Sequence, residues 1–246
     1  IAEAFHSDTP QKIDRVLEYS HYIGLPEAKD PVPRNWRVVS ISTPNNWETD
    51  KVVSAYADAG VNLVLAGAGN NGFGVYDGKY QEQLIEPARK CQKKGMTVVP
   101  FFAPSCFVKA SSEMMKNMNN WGMGGEVNGK FKPMWGGAYL MGCFEAGGMC
   151  GFMQKGIAYS MSKFPNDGIY CDFMYPSGPC FNKTHGHGIP HLSMDGLLNF
   201  CDWIKTGLLK KDQIFFAHTG YCPVSHVERY ADLAWICEEV NSGFSN

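Results

Sequence analysis

The sequence has no surplus of basic charge: 22 Lys and Arg stand against 24 Asp and Glu, for a formal net charge of −2. Nucleic-acid-binding domains carry a clustered cationic footprint, so no nucleic-acid partner is expected. No apolar run approaches the roughly 18 residues of a membrane-crossing helix, so no membrane span is expected. No CxxC occurs, which removes the spacing of zinc ribbons and thioredoxin-like redox motifs. The chain opens Ile1-Ala2 without an initiator Met or a signal-like apolar region, and Ser242-Gly243-Phe244-Ser245-Asn246 matches no C-terminal targeting signal. These absences lead us to expect a processed or excised part of a longer polypeptide, with the remaining polypeptide or another subunit as partner. The compartment is open, with an extracellular or periplasmic setting favoured.

What is present suffices for one large domain or two small ones: 246 residues, 44% of them hydrophobic. The nine cysteines are an odd number, so at least one thiol cannot pair within the chain. Cys91, Cys171, Cys201 and Cys237 fall inside expected helices or strands and read as buried free thiols. Cys180 and Cys222 both follow expected strand ends and could approach each other.

Residues 1–36 are mixed and polar, with Pro31-Val32-Pro33 before the first strand, and read as an N-terminal connecting segment. From 37 to 246 strand and helix patterns alternate. Apolar, β-favouring runs predict strands over 37–43, 61–67, 96–103, 168–176 and 213–220. Helices are predicted over 48–59, 81–94, 145–163, 193–209 and 224–240, with Gly60 and Gly95 as stops for the first two. A long Gly- and Met-rich excursion separates the third strand from the third helix, and Asn128-Gly129 within it carries a hairpin signal. Alternation of this kind predicts an α/β fold with a parallel sheet and helices outside it. Two architectures fit, a doubly wound five-stranded sheet or the first five units of a (β/α) barrel of TIM type. The long loops after the third and fourth strands favour the barrel, in which 37–246 would be a catalytic-like but incomplete domain.

Asp172 is the residue that does not fit its surroundings. Gly168-Ile169-Tyr170-Cys171-Asp172-Phe173-Met174 is apolar apart from this carboxylate, which stands near the C-terminal end of the strand. An unpaired buried charge is costly, so Asp172 must be paired or face a cleft. In parallel α/β folds that cleft lies at the C-terminal strand ends. The other strands deliver Asn45, Asn46 and Trp47, then Asn70 and Asn71, then Ser105 and Cys106, then Tyr175, then His218 and Tyr221 to the same side. Amide, carboxylate, imidazole and aromatic groups facing one cleft suit a polyhydroxylated ligand, which makes a carbohydrate the expected partner. Taken singly, an Asn after a strand also reads as a turn residue and a loop Trp as a local core plug.

The run Asp167-Gly168-Ile169-Tyr170-Cys171-Asp172, followed by a loop with Asn182 and His185-Gly186-His187-Gly188, resembles strand four of the barrel glycosidases related to melibiase-type α-galactosidases. The resemblance implies a glycoside hydrolase acting on an oligosaccharide or glycoconjugate by a retaining mechanism, with Asp172 as nucleophile. It implies an acid/base carboxylate on strand six. The five strands expected here stop short of a sixth, so no acid/base residue is assigned. Glu48, Asp77 and Glu145 read as caps or surface residues. Asn45, Trp47, Asn70, Tyr175, His185, His187, His218 and Tyr221 are the expected substrate-binding residues, and no cofactor is expected.

Two rival readings belong to other classes. A barrel-like domain without its acid/base residue could bind carbohydrate or serve a structural role. Alternatively, His185, His187 and His191 with Asp172 could hold a hydrolytic metal, although their spacing matches no common zinc motif. The loop over 177–191 is expected to cover the end of the Asp172 strand. Asn182-Lys183-Thr184 within it is a glycosylation sequon.

Overall fold

A computed structural model describes residues 36–41, 50–67, 78–108, 112–124, 126–127, 130–131, 139–175, 178–220 and 225–235. All of them belong to one compact unit, Val32–Asn246. The expected connecting segment, apart from Trp36, lies outside the described residues.

The chain runs β1 (Val38–Ile41), α1 (Asp50–Asp58), β2 (Leu63–Ala66), α2 (Gly78–Lys93) and β3 (Thr97–Phe102). The excursion then supplies β4 (Cys106–Val108), α3 (Ser112–Lys116), α4 (Met118–Trp121), β5 (Glu126–Val127), β6 (Lys130–Phe131) and β7 (Tyr139–Met141). The regular alternation resumes with α5 (Met149–Lys163), β8 (Gly168–Cys171), α6 (Met194–Asp202), β9 (Ile214–His218), α7 (Ser225–Glu228) and β10 (Leu233–Trp235). A π-helical stretch, Trp203–Leu208, continues α6.

Six strands form the main sheet in the order β1-β2-β3-β8-β9-β10, all parallel. Sequential order is that of a (β/α) barrel, whereas a doubly wound sheet reverses direction partway. The fold is therefore a curled, partial (β/α) barrel. It has one strand more than the sequence pattern gave. Among the described residues, the helix expected over 224–240 covers only Ser225–Glu228, and Leu233–Trp235 pairs with β9 instead. The three residues of β10 are too few to show a period, so the apolar run around them reads equally well as helix.

Alternating strand residues build two cores. On the convex side Val64, Val98, Phe102, Ile169, Cys171 and Phe215 pack with Leu84, Ala88, Met153, Ile157, Leu197 and Phe200. On the concave side Leu63, Leu65, Val99, Phe101, Tyr170 and Phe216 form a separate cluster. Burial on both faces is why the strands read as continuous apolar runs. Gly60 and Gly95 end their helices with φ of 76° and 80°, the left-handed geometry expected of helix stops.

The N-terminal ends of three strands carry one recurring device. The Asn62 side chain accepts from Arg37 N (2.7 Å), Asp167 Oδ2 from Val98 N (2.8 Å), and Asp232 Oδ2 from Phe215 N (2.9 Å). In each case the backbone N–H of the same residue donates back to its partner's strand, at Arg37, Val98 and Phe215. Each polar side chain thus closes the first rung between adjacent strands. Gly168 follows Asp167 because β8 runs tight against β9: a Cβ there would lie 2.1 Å from the Ile214 carbonyl oxygen.

Candidate active site at the C-terminal ends of the strands

β8 ends at Cys171, and the next residue still holds the sheet, with Asp172 N donating to Phe102 O at 2.7 Å. The backbone then turns sharply. Phe173 has φ 55°, a left-handed value rare for a bulky residue. This turn folds the Asp172 side chain over its own strand end, where Phe173 N donates to Oδ1 at 2.8 Å. The strand expected over 168–176 is therefore cut short at 171, and the residues beyond it shape the site.

His218 is the last residue of β9. Cys171 pairs with Ala217, so Asp172 and His218 are next in register, and both side chains point to the concave face by alternation from Tyr170 and Phe216. Nδ1 of His218 lies 2.6 Å from Oδ1 of Asp172, with the side chains 9% and 15% exposed. Both contacts thus go to Oδ1, and among the described residues no hydrogen bond engages Oδ2. The imidazole sits 6.4 Å from the Tyr170 ring and 6.0 Å from Trp235, which is opposite it in register on β10. Its Nε2 is buried and has no partner among the described residues. Below this layer, an apolar cleft of about 460 Å³ opens between β1 and β10, lined by Trp36, Val38, Phe216, Leu233 and Trp235.

Tyr175 follows on the turn. Its ring lies against Gly220, where a Cβ would come within 2.7 Å of it, and 6.0 Å from Phe173. Ser105 is buried and donates to Phe173 O at 3.4 Å. Cys106 is buried beside them, and burial first, then the Asp172 charge, pushes its thiol far above the ordinary range. Asp172 and His218 are thus in direct contact, while Tyr175 packs against Phe173 and Gly220 on the following turn. Asn45, Trp47, Asn70 and Tyr221 lie outside the described residues, as do Asn46 and Asn71.

The loop after Tyr175 is bonded to the excursion. Phe181 N and Asn182 N both donate to Met123 O, and Cys180 and His191 exchange backbone hydrogen bonds across the loop. Asn182 is fully engaged: Nδ2 donates to Asn119 O and Gly122 O, and Oδ1 accepts from Thr184. That arrangement makes the sequon an Asx turn. The histidines of the loop do not bond to Asp172. His191 Nε2 meets Glu145 Oε2 at 2.7 Å, and Glu145 Oε1 also accepts from Gly196 N in the first turn of α6. Glu145 thus accepts in the first turn of α6 and not at the start of the helix expected over 145–163.

The metal set of His185, His187, His191 and Asp172 is not assembled, because His191 is taken by Glu145 and Asp172 by His218. His185 and His187 meet two cysteines instead. Cys143 Sγ lies 3.5 Å from His187 Nε2, Cys180 Sγ 3.2 Å from His185 Nδ1, and the two ring nitrogens are 3.2 Å apart. Burial holds His185 below the ordinary imidazole range and pushes the Cys180 thiol up to about 11. The expected approach of Cys180 to Cys222 involves a residue outside the described ones. Cys91, Cys171 and Cys201 are buried free thiols.

No protein-family model matches the chain, and no curated protein matches it. Solved structures do resemble it in fold. The GH36 α-galactosidase AgaA from Geobacillus stearothermophilus superposes with a TM-score of 0.60 at 13% identity, over 82% of this chain and 30% of that one. The α-galactosidase from Lactobacillus brevis gives 0.62 at 11% identity, over 84% and 30%. A family GH13_31 enzyme gives 0.57 at 12% identity, over 82% and 51%. AgaA variants have been solved in complex with stachyose and with raffinose. At these identities the likeness is one of fold, and this chain spans under a third of the length of the α-galactosidases it resembles.

Proposed function

We propose that the chain forms the greater part of a retaining glycosidase barrel in which Asp172 is the nucleophile. The observation that carries this is the asymmetry of its carboxylate: Oδ1 is held by Phe173 N and His218, while Oδ2 is left without a hydrogen bond among the described residues. A nucleophile needs one oxygen fixed and the other presented, at the C-terminal end of a barrel strand. The fold neighbours are glycoside hydrolases, which supports the same reading.

Retention requires a second carboxyl group about 5–5.5 Å from the first. The resemblance to melibiase-type enzymes puts that residue on strand six. β10 is the sixth strand of the sheet, and the first carboxylates after it in sequence are Glu238 and Glu239, outside the described residues. We assign the acid/base role to one of these two. Asp172 would attack the anomeric carbon through Oδ2 and release the leaving oxygen as that glutamic acid protonates it. Water, deprotonated by the same glutamate, would then free the sugar. His218 would keep Asp172 aligned by donating Nδ1–H to Oδ1. Tyr175, with Asn45, Trp47, Asn70 and Tyr221, would bind the sugar, and two more strand units from further polypeptide would span the flank between β1 and β10.

The test uses the complete polypeptide and an aryl α-galactoside, the substrate class of the fold neighbours. A 5-fluoro-galactosyl fluoride should label the peptide containing Asp172 and no other, read by mass spectrometry. Labelling elsewhere overturns the nucleophile assignment. Tight binding of galactosides without turnover or labelling would favour the non-catalytic carbohydrate-binding reading.

A further inference from the structure

We propose that Cys143, Cys180, His185 and His187 form a closed structural zinc site that clamps the loop after β8 to the excursion after β3. The inference is independent of the glycosidase reading.

The geometry is the first argument. One ligand atom from each residue lies within 4.8 Å of every other. A tetrahedral zinc ion with two thiolates and two imidazoles has nitrogen–nitrogen edges of about 3.4 Å and sulfur–nitrogen edges of about 3.6 Å, given its usual bond lengths. The observed separations are 3.2 Å for His185 Nδ1 to His187 Nε2, 3.2 Å for Cys180 Sγ to His185 Nδ1, and 3.5 Å for Cys143 Sγ to His187 Nε2. Each is within about 0.4 Å of those edges, and the remaining three separations are no longer than 4.8 Å.

The tautomers are the second argument. His185 Nε2 lies 2.8 Å from Asn120 O, and His187 Nδ1 lies 2.7 Å from Gly188 O. A carbonyl oxygen only accepts, so both of these nitrogens carry the proton. His185 Nδ1 and His187 Nε2 then turn lone pairs toward each other, 3.2 Å apart, and toward the Cys180 and Cys143 sulfurs, so four potential donor atoms converge where one cation could take them all. Orientation of a ligating imidazole by a backbone carbonyl on its far nitrogen is the usual outer support of a metal site.

Burial is the third. Cys143 and Cys180 have no exposed surface and His185 is 7% exposed, while His187 is half-buried and leaves a path for entry. Four protein ligands leave no open coordination position, so the site is structural and not hydrolytic. Binding would displace two thiol protons to solvent and form two zinc–sulfur and two zinc–nitrogen bonds. The cross-link joins Cys143, just after β7, to Cys180-x4-His185-x-His187.

The full chain, purified under reducing conditions, should carry about one zinc per molecule by elemental analysis. Replacing zinc with cobalt(II) should give the intense visible bands of a tetrahedral site together with thiolate-to-cobalt charge transfer. Cys143→Ser and Cys180→Ser should each lose the metal, whereas Cys201→Ser should keep it. If the variants do not fold, removing the metal from the unaltered chain with a chelator should lower its melting temperature, and returning zinc should restore it. Absence of stoichiometric metal after reconstitution with zinc, together with a melting temperature indifferent to chelator, would overturn the proposal in favour of a hydrogen-bonded cluster. A mass showing a Cys143–Cys180 disulfide in the reduced preparation would overturn it as well.

Discussion

The two ends of the parallel sheet use carboxylates for opposite purposes. At the N-terminal end of β8, Asp167 accepts from Val98 N and from Gln92 Nε2, both through Oδ2, and so closes the seam with β3. At the C-terminal end of the same strand, Asp172 also takes two hydrogen bonds on one oxygen, yet its donors are its own following N–H and an imidazole on β9. Asp167 thus satisfies the neighbouring backbone, while Asp172 is held by groups that orient it. The difference follows from the sheet. The first rung of a parallel pair leaves N–H groups that need an acceptor, and Asn62 and Asp232 answer the same need at β2 and β10. At the other end the strands open toward the βα loops, where a side chain can face a ligand.

Four substitutions would break or sharpen this contrast. The largest effect is expected for Asp172→Asn, which removes the anion and keeps the shape. Turnover of an aryl galactoside by the complete polypeptide should fall at least about 10⁴-fold with little change in melting temperature. Were Asp172 only a structural partner of a charged His218, the cost would appear as about 3–5 kcal/mol of stability instead. Next, His218→Ala should lower kcat by about 10²-fold through loss of carboxylate alignment, with KM little changed. A variant as active as the parent would show that the imidazole does not orient Asp172.

Asp167→Ala should invert the pattern. It leaves Val98 N without its acceptor, so denaturant unfolding should show a loss of about 2–3 kcal/mol, with kcat retained in the folded fraction. Loss of activity at full stability would mean that the two ends of β8 are not functionally separate. Asn62→Ala should show the smallest change, about 0.5–1.5 kcal/mol, because its bond to Arg37 N lies at an exposed edge of the sheet. A larger loss there than at Asp167 would contradict the ranking by burial.

Much of the fold was legible because its signals are local. The apolar runs around Leu63, Val98, Ile169 and Phe215 gave the strands, and Gly60 and Gly95 gave the helix stops. The excursion was harder. Cys106–Val108 pairs with Tyr139–Met141 across some thirty residues, and no periodicity links two three-residue strands so far apart. β10 was missed for the same reason, and with it the sixth strand on which the acid/base assignment now rests. At the site, Asp172 stood out as a charge in an apolar run, and His218 came from its position at a strand end. Their 2.6 Å contact could not be read, because it depends on the register of β8 against β9.

The cysteine–histidine cluster shows the same limit from the other side. The sequence by itself determined the strands that bury on both faces, the carboxylate at the end of one of them, and the presence of His185 and His187 in the loop that follows. These depend on neighbours within a few residues, where hydrophobicity and turn chemistry act directly. Only the tertiary structure decided that Cys143 lies beside Cys180, His185 and His187, that His191 belongs to Glu145, and that Asp172 is bonded to an imidazole on β9. Those pairings join residues brought together by sheet register and loop packing, and contacts made at such separations leave no trace in local spacing.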